Sequence, residues 1–258
     1  MKISVLAENT SSDVNIGCEH GLSLYIETCD HKILFDMGQT DLFYENAKKM
    51  NIDLSDVDIA VISHGHYDHG GGLRKFLEIN DKANIFINEH AFEPHYNGTE
   101  KYIGLDIKLF DNKRIVFTGD LFSINENLTL YSCNNKDRFF NPGSFGLTVF
   151  EGDDFKDDDF RHEQYLNISE NGKNVLISGC SHKGIMNIAR WFNSDYIIGG
   201  FHFSKLLLDN TLAEYAKLLN NYHTKFYTCH CTGVEQYEFM RDYMDRLEYL
   251  SAGTKIEI

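Results

Sequence analysis

The segment from Val61 to Leu73, VISHGHYDHGGGL, sets His64, His66, Asp68 and His69 between an apolar run and a run of glycines. Imidazole nitrogens and carboxylate oxygens are ligands for Zn²⁺, Mn²⁺ or Fe²⁺, and a loop leaving a strand end can bend all four side chains toward one point. His64 and His66, two residues apart, would face one ion. Asp68 and His69 could turn toward a second. Gly65 leaves room for the turn, and Gly70, Gly71 and Gly72 let the backbone pack closely against the site. The expected cofactor is therefore a divalent metal, zinc first with manganese or iron as alternatives, one or two ions per chain.

A second ion needs ligands from elsewhere, and histidines at strand ends are the geometric candidates. His182 follows KNVLISGCS, His202 follows YIIGGF and His230 follows KFYTC. Cys180 stands two residues before His182, and its thiolate can bind zinc. Cys229 and Cys231 flank His230. Alternate residues of a strand point to opposite faces, so both are expected to turn away from His230 and pack. Asp120, in IVFTGD, reads as a turn residue.

The elements that must position these groups follow from apolar periodicity. Strands are expected over Lys2 to Ala7, Leu22 to Glu27, Lys32 to Asp36, Ile59 to Ser63 and Asn84 to Asn88, with helices over Thr40 to Met50 and Gly72 to Ile79. The stretch from Arg114 to Ile168 reads as hairpins. Alternation then resumes: strands Asn174 to Ser178, Tyr196 to Gly199, Lys225 to Thr228 and Lys255 to Ile258, and helices Gly184 to Trp191, Leu212 to Tyr222 and Val234 to Leu247. Two similar halves of this kind suit a four-layer αββα sandwich or a doubly wound sheet. No linker or low-complexity tract divides residues 1–258, so one domain is expected.

Composition narrows the partners. The 258 residues carry 24 Lys plus Arg against 39 Asp plus Glu, a formal charge of −15, which argues against nucleic acid because phosphate tracking needs a basic field. The acidic run DDFKDDD, Asp153 to Asp159, reads as a solvated loop. Six cysteines without framework spacing argue against a disulfide scaffold. The apolar run before Glu8 is too short for a signal segment, and no stretch approaches the roughly 18 apolar residues of a membrane span. A cytoplasmic protein acting on a small molecule is the expectation.

The HxHxDH pattern at His64 to His69 resembles the metallo-β-lactamase superfamily. The likeness extends over Glu19-His20-Gly21-Leu22-Ser23, Ile33 to Gly38, Leu176 to His182, Ile198 to His202 and Cys229 to Gly233, and is nearest to the dihydropterin-ribosylaminobenzene phosphate synthase-like metal-dependent hydrolases. The resemblance implies the four-layer αββα fold with a metal site at one edge of the sheets. It implies His230 as the last ligand of a second site with Asp68 and His69, and Asp36 as a carboxylate that supports the ligand loop. His182 is the candidate third ligand of the first site, and His202 a pocket residue. One departure stands out: a bridging Asp usually ends a Gly-Asp pair, and here the pair is Gly179-Cys180, which leaves open whether Cys180 bridges, ligates one ion or only packs.

Two divalent ions about 3.5–4 Å apart can activate water and clamp a phosphoryl or carbonyl oxygen. Hydrolysis of a phosphorylated or ester-type small molecule is therefore expected, with Asp68 in a catalytic as well as a ligand role. The subgroup also implies an alternative, a synthase joining a dihydropterin diphosphate to a ribosyl-aminobenzene phosphate. A metal-stabilised binding protein is a third reading. Lys183, Arg190, Lys205 and Arg161 are candidate cations for a phosphorylated substrate, and Phe139, Phe140, Phe145 and Tyr165 candidate walls for a flat ring.

Overall fold

The computed structural model describes residues 1–258. Side-chain alternation builds the layers. Along strand Lys32–Phe35, Ile33 and Phe35 enter one apolar cluster and Leu34 another. Along Ile59–Ile62, Ile59 and Val61 turn one way while Ala60 and Ile62 turn the other. Both faces are thus covered, which is why these strands read as continuous apolar runs.

Two seven-stranded sheets result. The central core lies between them, joining Ile3, Leu24, Phe35 and Val61 to Leu130, Leu166, Ile177 and Ile198. The outer face of the first sheet packs on helices Leu42–Lys49 and Leu73–Ile79 through Phe43, Ala47, Leu73 and Phe76. The second is covered by Ile185–Phe192, Asn210–Asn220 and Val234–Met240. This is the four-layer αββα sandwich. Each fully buried large side chain contributes about 1.5–3 kcal/mol of transfer free energy.

Within each sheet a block of parallel strands aims its carboxyl ends at one edge. In the first sheet these are Lys32–Phe35, Ile59–Ile62, Asn84–Asn88 and Ile115–Thr118. In the second they are Lys173–Ile177, Tyr196–Gly199, Lys225–Thr228 and Leu247–Tyr249. Loops beyond such ends are the usual ligand-binding place in open α/β sheets. A smaller four-stranded sheet, with Leu147–Glu151 between Asp154–Asp157 and His95–Asn97, and Lys101–Tyr102 beyond, caps that edge.

Three expectations change. The last long helix stops at Met240, and Leu247–Tyr249 is a strand paired with Lys225–Thr228, a tertiary contact no local period announces. The acidic run is only partly solvated: Asp154–Asp157 forms a strand, and Asp158 is 5% exposed. Strand Lys225–Thr228 ends before Cys229, and His230–Thr232 forms a 3₁₀ turn, so strand alternation does not govern Cys231.

Candidate metal centre

The loop after Ile59–Ile62 and the three loops after the second sheet's parallel strands meet at the edge. Gly179 makes the approach close: a side chain there would collide with the Ser63 hydroxyl. Asp36, Ser181, His202 and His230 all sit at positive φ, between 57° and 59° for the first three and 49° for His230. Such backbone is uncommon for residues other than glycine, and here it turns strand-end loops back toward a shared point.

Two groups of ring nitrogens face each other there. His64 Nε2 lies 3.3 Å from His182 Nε2, and His66 joins them with its donor atom within 4.8 Å of both. His69 Nε2 lies 3.1 Å from His230 Nε2, with Asp68 Oδ2 3.4 Å from the latter and 3.9 Å from the former. The Cys180 sulfur is 3.2 Å from His69 Nε2. Every expected ligand, His64, His66, Asp68, His69, His182 and His230, is in one of these groups, and Cys180 stands beside them.

Hydrogen bonds fix which nitrogen carries the proton. Asp36 Oδ2 accepts from His69 Nδ1 at 2.6 Å. Asn9 Oδ1 lies 2.8 Å from His230 Nδ1 and accepts its proton. Ser63 Oγ donates to Asp36, so its oxygen accepts from His64 Nδ1 at 2.8 Å. In a neutral ring a proton on Nδ1 leaves a lone pair on Nε2. With both rings neutral, His69 and His230 aim lone pairs at each other across 3.1 Å, the arrangement a cation between them would require. The Nε2 of His66 and the Nδ1 of His182 are buried with no hydrogen-bond partner. An unprotonated, inward-facing nitrogen set beside a carboxylate is a metal donor set by its chemistry, and the residues fit a divalent ion.

Electrostatics differ between the rings: at His69 burial lowers the pKa, but the Asp36 and Asp68 carboxylates outweigh it and raise it, so an ion there competes with a proton. Burial, reinforced by neighbouring imidazoles, holds His64, His66 and His182 well below the usual histidine range, so their rings are neutral donors. Burial raises the Asp68 carboxyl, but His69, His20 and His230 outweigh it and hold it well below the usual range. Asp68 is ionised.

Three buried carboxylates also tie the loops to the sheets by taking backbone N–H groups. Asp36 accepts from Ser63 at 2.7 Å, Glu163 from His182 at 2.6 Å, and Glu8 from His230 at 2.6 Å. Asp36 thus supports the ligand loop, as expected. Glu8 and Glu163 gave no sign in the sequence, because an isolated acidic residue becomes informative only when its burial is known.

A cavity of about 190 Å³ opens above the donors, lined by His20, Asn97, Lys101, Leu147, Ser204 and Lys205 along with His202. His202 lines the pocket as expected, 4.3 Å ring to ring from His182 and 4.9 Å from Phe145. His20 Nε2 is 3.2 Å from Asp68 Oδ2. Of the four cation candidates only Lys205 is here. Lys183 is buried against the carbonyls of Ser132 and Glu163, Arg161 pairs with Glu93 and Glu151, and Arg190 lies over Phe139. Lys101, from the small sheet, is the cation the sequence did not reveal. Asp120 caps the turn at Asn134 and Asn135, away from the donors.

A further group adjoins the site. His95 Nδ1 and His162 Nε2 lie 2.9 and 3.2 Å from Asp158 Oδ2, and the three residues with His66 place donor atoms within 4.8 Å of one another, a composition able to hold a metal.

The metallo-β-lactamase superfamily model matches residues 16–109. The chain is 30% identical to the crystal structure of Tm1679, described as a metal-dependent hydrolase of the β-lactamase superfamily, covering 100% of this chain and 99% of that one with a TM-score of 0.85. It is 29% identical over 245 residues to an uncharacterized protein of Methanocaldococcus jannaschii, covering 90% of each. It is also 28% identical over 283 residues to that organism's 7,8-dihydropterin-6-methyl-4-(β-D-ribofuranosyl)-aminobenzene-5′-phosphate synthase, covering 100% of this chain and 96% of the relative.

Proposed function

This chain belongs to the metallo-β-lactamase superfamily, and we propose that it is a metal-dependent hydrolase acting on a phosphorylated or ester-type small molecule. His64, His66 and His182 would hold one ion and Asp68, His69 and His230 a second. The observation that carries this reading is the convergence of His69 Nε2 and His230 Nε2 to 3.1 Å beside an ionised Asp68. Divalent ions in such a site supply Lewis acidity, polarising a phosphoryl or carbonyl oxygen and making water a nucleophile near neutral pH.

The chain's own residues do the rest. Asp36, Asn9 and Ser63 keep the imidazole protons on Nδ1, which orients each ring and leaves its Nε2 free. Asp68, at the floor of the cavity, is an acceptor for a proton of the attacking water. His20, next to it and exposed, is placed to pass that proton to solvent. Lys101 and Lys205 have no carboxylate partner, and both line the cavity, where they would hold an anionic group of the substrate.

The test is turnover of bis-p-nitrophenyl phosphate by protein loaded with Zn²⁺, Mn²⁺ or Fe²⁺. His66→Ala should lower kcat/KM by about 10³-fold or more, the scale of several kcal/mol of lost Lewis-acid stabilisation, with one ion fewer per chain. No turnover with any of the three ions ends the reading for this substrate class. Replacing Lys101 and Lys205 together by Ala should raise KM for p-nitrophenyl phosphate at least about tenfold, the loss of two charge-assisted contacts, and leave KM for p-nitrophenyl acetate unchanged.

A second reading is favoured by the full-length likeness to the dihydropterin synthase. It uses the same donors with an aryl substrate, through its amine nitrogen, in place of water as nucleophile. Diphosphate release from a dihydropterin diphosphate decides between them. Release that requires the aryl acceptor supports the synthase, and release without it supports hydrolysis.

A further inference from the structure

One grouping at the strand ends is not used by the two ion positions above. Cys180, His202 and Cys231 each present one donor atom, and the three atoms lie within 4.8 Å of one another. They come from three different loops, after Lys173–Ile177, Tyr196–Gly199 and Lys225–Thr228. Cys180 is 3% exposed and Cys231 6%. His202 Nδ1 is buried without a hydrogen-bond partner. The Cys231 thiol lies 3.4 Å from the Cys180 carbonyl, and its side chain is also in contact with those of Cys180 and His202.

Neighbouring cysteine positions show what ordinary packing looks like here. Cys229, two residues away, is fully buried among the apolar side chains between the sheets. Cys231 instead lines the metal cavity together with Cys180 and His202. At Gly200 any side chain would collide with the Cys231 sulfur, so a bare backbone lets the sulfur reach this place.

We propose that Cys180, His202 and Cys231 form a third metal position, contiguous with the histidine and aspartate centre and taking a thiophilic divalent ion, Zn²⁺ in the first instance. Two thiolates and one imidazole are a soft donor set, and three protein ligands with a fourth position open to the cavity match zinc's preference for four. Around a tetrahedral ion with bonds of about 2.0–2.3 Å, donors stand about 3.5–3.8 Å apart, inside the observed spread. Binding breaks the two S–H bonds, the sulfur electron pairs go to the ion, and two protons go to solvent, with no change of oxidation state. Since the Cys180 sulfur is also 3.2 Å from His69 Nε2, its thiolate is shared between this ion and the one at His69. Mn²⁺, which prefers carboxylate and water oxygens, would leave the position empty.

The inference rests on the metal-centre reading, and the test separates the two. Metal-free protein is loaded with excess Zn²⁺, Co²⁺ or Mn²⁺, desalted and analysed for ions per chain, with a near-ultraviolet spectrum of the cobalt form. Zn²⁺ and Co²⁺ should bind one ion per chain more than Mn²⁺, and the cobalt form should show a sulfur-to-metal charge-transfer band. Cys231→Ser and His202→Ala should each remove that extra ion and weaken the band, whereas His66→Ala should lose a different ion and keep the band. Equal counts for Zn²⁺ and Mn²⁺, or a band that responds to Cys180→Ser but to neither Cys231→Ser nor His202→Ala, overturn the third position and leave the other two standing. No bound ion of any kind overturns both readings. Should the variants not fold, zinc-edge X-ray absorption of the fully loaded, unaltered protein decides: the signal averages over all bound ions, so two bonds from the shared Cys180 thiolate and one from Cys231, over three ions, give about one sulfur per zinc at about 2.3 Å, and about half a sulfur per zinc or less overturns the assignment.

Discussion

Two histidine groups flank His66, and they differ in where their ring nitrogens point. In the group of His95, Asp158 and His162, each contact completes a hydrogen bond: the Gly65 N–H donates to His162 Nδ1 at 2.9 Å, His162 Nε2 and His95 Nδ1 donate to Asp158 Oδ2, and the Phe160 N–H donates to Asp158 Oδ1 at 2.7 Å. In the group of His64, His66, His69, His182 and His230, the Nδ1 atoms of His64, His69 and His230 face outward to Ser63, Asp36 and Asn9, and the Nε2 atoms of His64 and His182 and of His69 and His230 converge. Residue type and burial are nearly the same in both. What separates them is whether the inward atoms already have protons to share, since a satisfied cluster stabilises a loop and an unsatisfied one demands a cation.

The comparison can be broken by measuring which property each group controls. Acid is the widest probe, applied to metal-free protein. Burial, the leading cause, pushes the His162 pKa down to about 4, whereas the unfolded ring titrates near 6.5. Between those values the unfolded chain binds more protons, so stability falls as pH drops from about 6.5 to 4, by up to about 3 kcal/mol from this residue. Urea midpoints for native protein and His162→Asn should converge at low pH, and a constant gap across the window would refute the claim. Next, Asp158→Ala strands three buried N–H groups and should cost at least about 2 kcal/mol of stability while leaving ions per chain unchanged. A lost ion would move this group into the metal centre.

The smallest effect tests the other side. Asp36→Asn presents an N–H to His69 Nδ1 where an acceptor stood, which favours the proton on Nε2 and removes the lone pair. Affinity for one ion should fall at least about tenfold in a competition with a chromogenic chelator. An unchanged affinity would show that the tautomer of His69 is set by something other than Asp36.

The ease with which these groups could be read in advance follows the same physical line. His64, His66, Asp68 and His69 were legible because four donors share one loop, and proximity in sequence guarantees proximity in space. Asp36, His182, His202 and His230 were legible as strand-end residues, since parallel strands deliver their carboxyl ends to one edge. Asp158 was hidden inside an acidic run whose neighbours are exposed, and its burial depends on the small sheet that carries His95. Cys231 was misread because strand alternation was extended past Thr228, where a 3₁₀ turn rotates the side chain into the cavity.

By itself, the sequence determined most of the strands and helices and the main donor loop, because apolar periodicity and contiguous ligands are local properties, and the four-layer arrangement followed from the family resemblance its motifs carry. Only the tertiary structure decided which histidines face one another with lone pairs, which lysine besides Lys205 reaches the cavity, and that two cysteines stand with His202 beside the metal donors. Those relations join residues tens of positions to more than a hundred positions apart, and they are set by how two sheets pack and where each strand ends, which no local pattern records.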